Sequence, residues 1–436
     1  MNEEAIVIIG GGHAAAQLCA GLIDAGAGPR TTLICAEATL PYQRPPLSKS
    51  FLKNAAEIAQ LHRTPAWYAE GGVTVQLGQP AVAVDRQQKL VSLGDGQQIP
   101  YHRLVLATGG RARLLTDLPP SLANVATLRS AADAEALRTQ MVAFESLTVV
   151  GGGFIGLEFA ATARHLGKRV TVVESAPRLL ARAVSPEISE HVLQLHRASG
   201  IEIHLNAKVA GFEIAGQMSD ATRRLVAIEL DGARHPVDLV LLGIGALPET
   251  GLAEAAGIAC ENGIVVDEYM VTSDPAILAV GDCTNFPDIA SGRRLRLESV
   301  QNANDQARTA VATLLGAPRA HNAVPWFWSE QGNLRLQMAG LPPAHAERYK
   351  RMSPPPGRPK EGLLPLGGTA RSDQGASVTA KADSFSIFHY ADGVLHCVES
   401  VNAPLDHMMA RKLLETGKSP APAVACDPAV ALKTLL

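Results

Sequence analysis

Paired cysteines are missing from this chain. Its six cysteines are Cys19, Cys35, Cys260, Cys283, Cys397 and Cys426, and no two have CxxC or CxxxxC spacing. That excludes a local redox dithiol and a metal centre built on closely spaced thiolates, so no metal is expected. Buried or incidental thiols are expected throughout; Cys283, beside Asp282, is the one weighed as a redox thiol. Strong charge bias is missing too: the formal net charge is −3, which gives no global reason to bind nucleic acid or an anionic membrane. No run is long and apolar enough to cross a bilayer. The apolar N-terminal stretch follows Asn2-Glu3-Glu4 and lacks the basic lead of a signal peptide, so the expected location is the cytoplasm. At 436 residues, with 47% hydrophobic and 19% charged residues, two or three globular domains are expected.

What the chain has is two glycine-rich turns in the same setting. Residues 5–9 (AIVII) lead into Gly10, Gly12 and Ala15, and residues 147–150 (LTVV) lead into Gly151, Gly153 and Gly156. Each apolar run reads as a buried parallel strand, and an alanine-rich helical stretch follows. The first glycine permits the tight turn, and the second lets a pyrophosphate approach the backbone. The third position must be small for helix and strand to pack. Free N–H groups and the helix dipole then face the phosphates. One such turn could arise by chance in a chain with 39 glycines. Two, each strand–turn–helix and each followed by an acidic residue, point to two dinucleotides.

Those acids close the next strands, about 20 residues beyond the turns. Residues 31–36 end in Glu37, and 169–173 end in Glu174. A carboxylate there can bind ribose hydroxyls; a solvated strand end is the alternative, weakened by the spacing. Ser175, Ala176 and Pro177 follow Glu174 with no adjacent arginine for a 2′-phosphate, which favours NADH over NADPH. Arg178 and Arg182 lie a little further on.

Longer motifs carry a resemblance. They are YQRPPLSK (42–49), LVLATGG (104–110), GGGFIGLE (151–158), AILAVGD (276–282), RLESVQNANDQA (296–307), PWFWSEQ (325–331), FSIFHYADG (385–393) and SVNAPLDHMMARKLL (400–414). Across nearly its whole length the chain resembles the FAD-dependent, NADH-using ferredoxin reductases of bacterial oxygenases and cytochromes P450. The resemblance implies an α/β fold of glutathione-reductase-like architecture, with two Rossmann-like dinucleotide-binding domains and a smaller C-terminal α+β domain. An FAD domain would take residues 1–112 and 246–322, with an NADH domain at 113–245 between them. The C-terminal domain would take 323–436, with a hairpin over 385–390 and 394–398 and a helix over 404–415. A Pro/Gly-rich surface loop at about 350–380 is longer than the family's usual connection.

The same resemblance implies site residues. Lys49 would stand beside the reactive edge of the flavin, held by Glu158, and Trp328 would cover the nicotinamide side. Trp328 is one of only three tryptophans, and core packing is its other reading. Contacts to non-covalent FAD would come from Gly10, Gly12, Ala15, Glu37, Arg44, Pro45, Lys49, Ala107, Thr108, Gly109, Asp282, Val300 and Trp328. Contacts to NADH would come from Gly151, Gly153, Gly156, Glu174, Arg182 and Gly245. A flavin converts a two-electron donor into a one-electron source, with the protein supplying orientation and electrostatics. The implied partner is a small 2Fe–2S ferredoxin of plant, vertebrate or Rieske type, with the chain a monomer or homodimer. A flavin NADH oxidase or quinone reductase, and a redox sensor similar to apoptosis-inducing factor, are the alternatives. Arg293, Arg294 and Arg296 form the densest basic cluster, read equally as a docking patch for an acidic ferredoxin or as a solvated loop.

Overall fold

The computed structural model of the chain describes residues 4–119, 122–216, 223–353 and 383–436. The apolar runs Ile6–Ile9 and Ser146–Val150 stand at the centres of two five-stranded parallel sheets. Strands covered on both faces read as continuous aliphatic stretches rather than alternating ones, and all four side chains of Ile6–Ile9 are buried. The first sheet runs Thr74–Leu77, Thr31–Cys35, Ile6–Ile9, Arg103–Leu106, Ile277–Ala279, with Ile6 opposite both Thr31 and Arg103. The second runs Glu202–His204, Arg169–Val173, Ser146–Val150, Leu239–Leu242, Val125–Ala126, with Leu147 opposite Val170 and Leu239. In each, the chain leaves the central strand through a helix, builds outward on one side, then crosses to the other. The crevice at that crossover, beyond the strands' carboxyl ends, is where open α/β sheets bind ligands. The fold is thus α/β with two Rossmann-like layers.

Two antiparallel segments, Gly110–Ala112 and Ala246–Pro248, pair as the chain passes from one parallel sheet to the other and back. Both parallel sheets belong to one compact unit, Met1–Ala323; Val324–Leu436 forms a second.

The second unit is an antiparallel sheet in the order Trp326–Gln331, Leu334–Gly340, Val394–Val401, Phe385–Ala391, Glu347–Met352. Its hairpin is closed by Asp392 and Gly393, both at positive φ, the backbone that a two-residue right-twisting turn requires. The expected second hairpin strand is too short: it continues through Val401, where Ser400 pairs with Ser386. Helix Pro404–Glu415 buries Ala410 and Leu413 in a cluster with Phe388, Tyr390 and Val398. The buried Arg351 donates to the carbonyls of Ala425 (3.0 Å), Asp427 (2.5 Å) and Val430 (2.9 Å), fastening the C-terminal segment to the sheet. The loop expected at about 350–380 also needs correction at its start. Lys350, Arg351 and Met352 are strand, paired with Ile387, Ser386 and Phe385. Backbone pairing outweighs the polar composition there. From residue 354 to 382 the expected loop lies outside the described residues.

Candidate functional site

The two glycine turns share a backbone. Gly10 has φ +128° and Gly151 has φ +110°, and a Cβ would fall 2.1 Å from the Ala107 carbonyl oxygen or 2.4 Å from that of Gly243. Only glycine fits either position. Helices His13–Asp24 and Phe154–His165 start at Gly12 and Gly153 with no side-chain cap. A Cβ on Gly12 would meet no protein atom within 4 Å, and one on Gly153 would meet only Gly243 O at 3.8 Å. Uncapped N–H groups facing space that no protein atom fills can hold the pyrophosphate of a dinucleotide at each turn. At the third position Ala15 is buried without conflict, whereas a Cβ on Gly156 would lie 2.3 Å from Gly151 O.

The two acids differ in their partners. Glu37 accepts from Arg44 Nη2 at 2.7 Å and from the Tyr42 hydroxyl at 2.6 Å. Burial, with the hydrogen bond to Glu37, pushes Tyr42 up to about 12, so it stays a donor at neutral pH. Its oxygen also accepts from Ala131 N at 2.8 Å. Glu174 instead accepts from two backbone amides, Gly152 N at 2.6 Å and Ala176 N at 2.7 Å. Arg178, a little beyond Glu174, donates to the carbonyls of Val184 (2.7 Å) and Ala181 (2.6 Å). Arg182 lies over Gly245, whose Cβ would stand 3.7 Å from Nη2.

Residues far apart in sequence meet between the two sheets. Pro45–Ser48 forms a short 3₁₀ turn, and Lys49 follows it. Lys49 Nζ lies 2.6 Å from Glu158 Oε2 and 3.1 Å from the Pro45 carbonyl. The Glu158 side chain is 4% exposed and the Lys49 side chain 18%. Ser48 Oγ donates to the same carboxylate oxygen at 2.5 Å, and Thr162 Oγ1 donates to Ser48 O at 2.8 Å. Arg138 donates to the carbonyls of Phe51, Asn54 and Glu57 and stacks on the Phe51 ring at 4.5 Å. The loop bearing Lys49 therefore belongs to the first layer by connectivity, but is held from the helices of the second.

At the carboxyl ends of the first sheet, Asp282 pairs with Arg129 Nη2 at 2.9 Å. Arg129 Nε donates to Gly110 O, and Arg129 O accepts from Arg44. Thr108 Oγ1 donates to Glu249 O at 2.6 Å, beside Gly109 at φ +69°. Helix Val300–Leu314 is capped by Ser299, whose side chain accepts from Asn302 N. Its buried Gln306 accepts from Gly281 N at 2.7 Å, tying the helix to the strand end before Asp282. His13, the first residue after the first glycine turn, is buried, and its Nε2 has no partner. Burial, with His62 and Arg44 nearby, lowers it to about 3. Arg129, Ser48, Thr162 and His13 were not foreseen. Only Ser48, inside YQRPPLSK, and His13, between Gly12 and Ala15, lay within motifs that could have drawn attention to them.

The buried reading expected for the thiols holds at Cys283. Cys283 is fully buried, with its thiol donating to Val280 O at 3.3 Å, and burial pushes its pKa up rather than down. The basic cluster is mostly spent on structure. Arg294 donates to Val266 O (2.7 Å), Asn285 Oδ1 (3.0 Å) and Asn285 O, while Arg296 pairs with Glu298 at 2.5 Å. These bonds use Nε and Nη2 of Arg294 and hold its guanidinium against the strand that carries Asn285. Trp328 stands in the second unit, on strand Trp326–Gln331 opposite Gln337, with its ring 5.5 Å from Trp326. Among the described residues no helix is long and apolar enough to cross a membrane, and no cluster of His, Cys, Asp and Glu could hold a metal.

Residues 4–307 match the family model described as pyridine nucleotide-disulphide oxidoreductase, and residues 366–436 match one described as reductase C-terminal. The chain is 36% identical over 435 residues to putidaredoxin reductase of Pseudomonas putida, covering 99% of this chain and 96% of that protein. It is 40% identical over 426 residues to rhodocoxin reductase of Rhodococcus erythropolis, covering 97% and 92%. Among solved structures, the ferredoxin reductase for the CYP199A2 system of Rhodopseudomonas palustris superposes with TM-score 0.87 at 39% identity, over 99% of both chains. The reductase chain of a covalent putidaredoxin reductase–putidaredoxin complex superposes with TM-score 0.86 at 35% identity, over 99% of this chain and 98% of that one.

Proposed function

The chain belongs to the pyridine nucleotide-disulphide oxidoreductase family. From that premise we propose that it is a cytoplasmic FAD-dependent reductase taking electrons from NADH and delivering them singly to a small 2Fe–2S ferredoxin of an oxygenase or cytochrome P450 system. The observation that carries this reading is the Lys49–Glu158 pair, which joins the two nucleotide layers at one buried point. Bound FAD accepts two electrons from NADH together and releases them one at a time. The protein's part is binding, orientation and electrostatics. Gly10, Gly12 and Ala15 admit the FAD pyrophosphate, with Asp282, Arg44, Pro45 and residues 107–109 along its length. Gly151, Gly153 and Gly156 do the same for NADH, with Glu174 on its ribose. Lys49 presents a fixed ammonium where negative charge develops on the flavin, and the dipole of the helix starting at Val300 acts in the same sense. The FAD domain would comprise 1–112 and 246–322, and the NADH domain 113–245.

The acceptor follows from the relatives, whose names pair such reductases with ferredoxins or oxygenase systems over nearly the whole chain. The described cysteines support no thiol route: all six are free, and burial pushes Cys19 and Cys35 up to about 12. The test is steady-state NADH oxidation with a 2Fe–2S ferredoxin against oxygen alone. Ferredoxin reduction should far exceed oxygen consumption; oxygen consumption at an equal or higher rate would overturn the choice of acceptor.

A further inference from the structure

The ion pair between Lys49 and Glu158 has a third member. Glu158 Oε2 accepts from Lys49 Nζ at 2.6 Å and from Ser48 Oγ at 2.5 Å. A carboxylate oxygen offers two lone-pair directions, and with Ser48 on one, the ammonium is confined to the other. A second ammonium N–H is taken by the Pro45 carbonyl at 3.1 Å, and the third has only a long 3.4 Å approach to Ser48 Oγ. Ser48 is itself immobilised. It is buried, it ends a turn begun by two prolines, and its carbonyl accepts from Thr162 Oγ1 at 2.8 Å. Glu158 and Thr162 lie four residues apart on helix Phe154–His165, so one buried helix face grips both the hydroxyl and the backbone of Ser48.

We infer that Ser48 is a positioning residue whose hydroxyl, by occupying one side of the Glu158 carboxylate, fixes where the Lys49 ammonium stands and aims its remaining N–H. This rests on the reading of Lys49 as the group beside the flavin. In this role Ser48 acts through the carboxylate, which it reaches with its hydroxyl. Without its hydroxyl, Lys49 can move to either side of Glu158 Oε2, and the charge that favours electron arrival on the flavin loses its fixed place. The helix gripping Ser48 is the one that starts at Gly153, so the same rigid element carries the proposed NADH phosphate turn and the geometry of Lys49.

The experiment uses FAD-loaded protein carrying Ser48→Ala, Ser48→Cys, Ser48→Thr or Lys49→Met. The readouts are flavin reduction by NADH in single turnover and the midpoint potential of the bound flavin. With Ser48→Ala, the limiting reduction rate should fall about tenfold, the low end for losing a hydrogen bond to a charged group. The half-saturating NADH concentration should change less than about twofold, the signature of an interaction acting beyond ground-state binding. The potential should move to a more negative value. Ser48→Thr restores a hydroxyl and should recover most of the rate, and Ser48→Cys, a weaker donor of similar size, should fall between. An unchanged rate and potential in Ser48→Ala overturns the inference, as does Ser48→Thr no better than Ser48→Ala. Should Ser48→Ala fail to hold FAD, Ser48→Cys decides alone: an intermediate rate supports the role and a wild-type rate overturns it. Lys49→Met separates the two levels. If it reduces as fast as wild type, the reading of Lys49 itself falls; if it is slow while Ser48→Ala is not, only the role of Ser48 falls.

Discussion

The two glycine turns are built on one plan and finished differently. Both leave the central strand of a five-stranded parallel sheet, both need glycine where a carbonyl passes within 2.4 Å of a would-be Cβ, and both are followed by an acid just past the end of the next strand. Around the first turn, that acid is neutralised by Arg44 and fixed by Tyr42, and a buried imidazole follows the glycines. Around the second, the acid rests on two backbone amides and, at 3.4 Å, the neighbouring Ser175 hydroxyl, and Phe154 takes the place of His13. Amide bonds to a carboxylate can be traded for ribose hydroxyls at little cost, whereas breaking an ion pair that is two-thirds shielded from water leaves two charges uncompensated. The difference suits a resident nucleotide at the first turn and an exchanging one at the second.

The largest expected effect probes the packing of the turns. Gly156→Ala puts a methyl 2.3 Å from a backbone oxygen and should destabilise by about 3 kcal/mol or prevent folding. The mirror change, Ala15→Gly, should cost only about 1 kcal/mol, the usual penalty for glycine in a helix. Urea unfolding of both variants measures this. Equal costs would mean that the second turn is no tighter than the first.

A somewhat smaller effect separates the residues after the glycines. His13 titrates at about 3 in the folded chain against an ordinary 6.5, so the unfolded chain takes the proton first. Its stabilising contribution is therefore complete above pH 6.5 and drains away as pH falls towards 3. In nucleotide-free protein, wild type should lose about 2 kcal/mol more than His13→Phe between pH 7 and pH 5, by denaturant titration at each pH. Parallel losses would show that His13 is not buried in its neutral form.

The smallest effect tests the acids. kcat/KM for NADH should exceed that for NADPH by at least about tenfold, or about 1.4 kcal/mol. Glu174→Ala should narrow that ratio, chiefly through NADH, while Glu37→Ala should leave it alone and weaken FAD retention. A ratio that responds to Glu37 and not to Glu174 would reverse the roles assigned to the two turns.

Legibility followed the range of the interactions. Strand Arg169–Val173 and helix Pro404–Glu415 were readable to the residue, because apolar runs and proline placement report local backbone preference directly. Strand Glu347–Met352 ran on into a segment read as loop, because its pairing with Phe385–Ala391 is decided by a partner more than thirty residues away. The arginines near residue 295 looked like a surface patch because charge in a sequence carries no sign of its acceptors; Arg294 found three inside the fold. Arg129 lay in no motif, and nothing before the fold could tie it to Asp282.

By itself, the sequence determined that two strand–glycine–helix turns exist, where each begins, and that an acid follows each. These follow from backbone sterics and short-range periodicity, which a run of some thirty residues contains in full. Only the tertiary structure decided what each acid is paired with. It alone set Ser48 against Glu158 and placed Thr162 behind Ser48. A hydrogen bond of 2.5 Å depends on where two separate elements come to rest, and that position is set by the packing of whole sheets and helices rather than by the residues that form the bond.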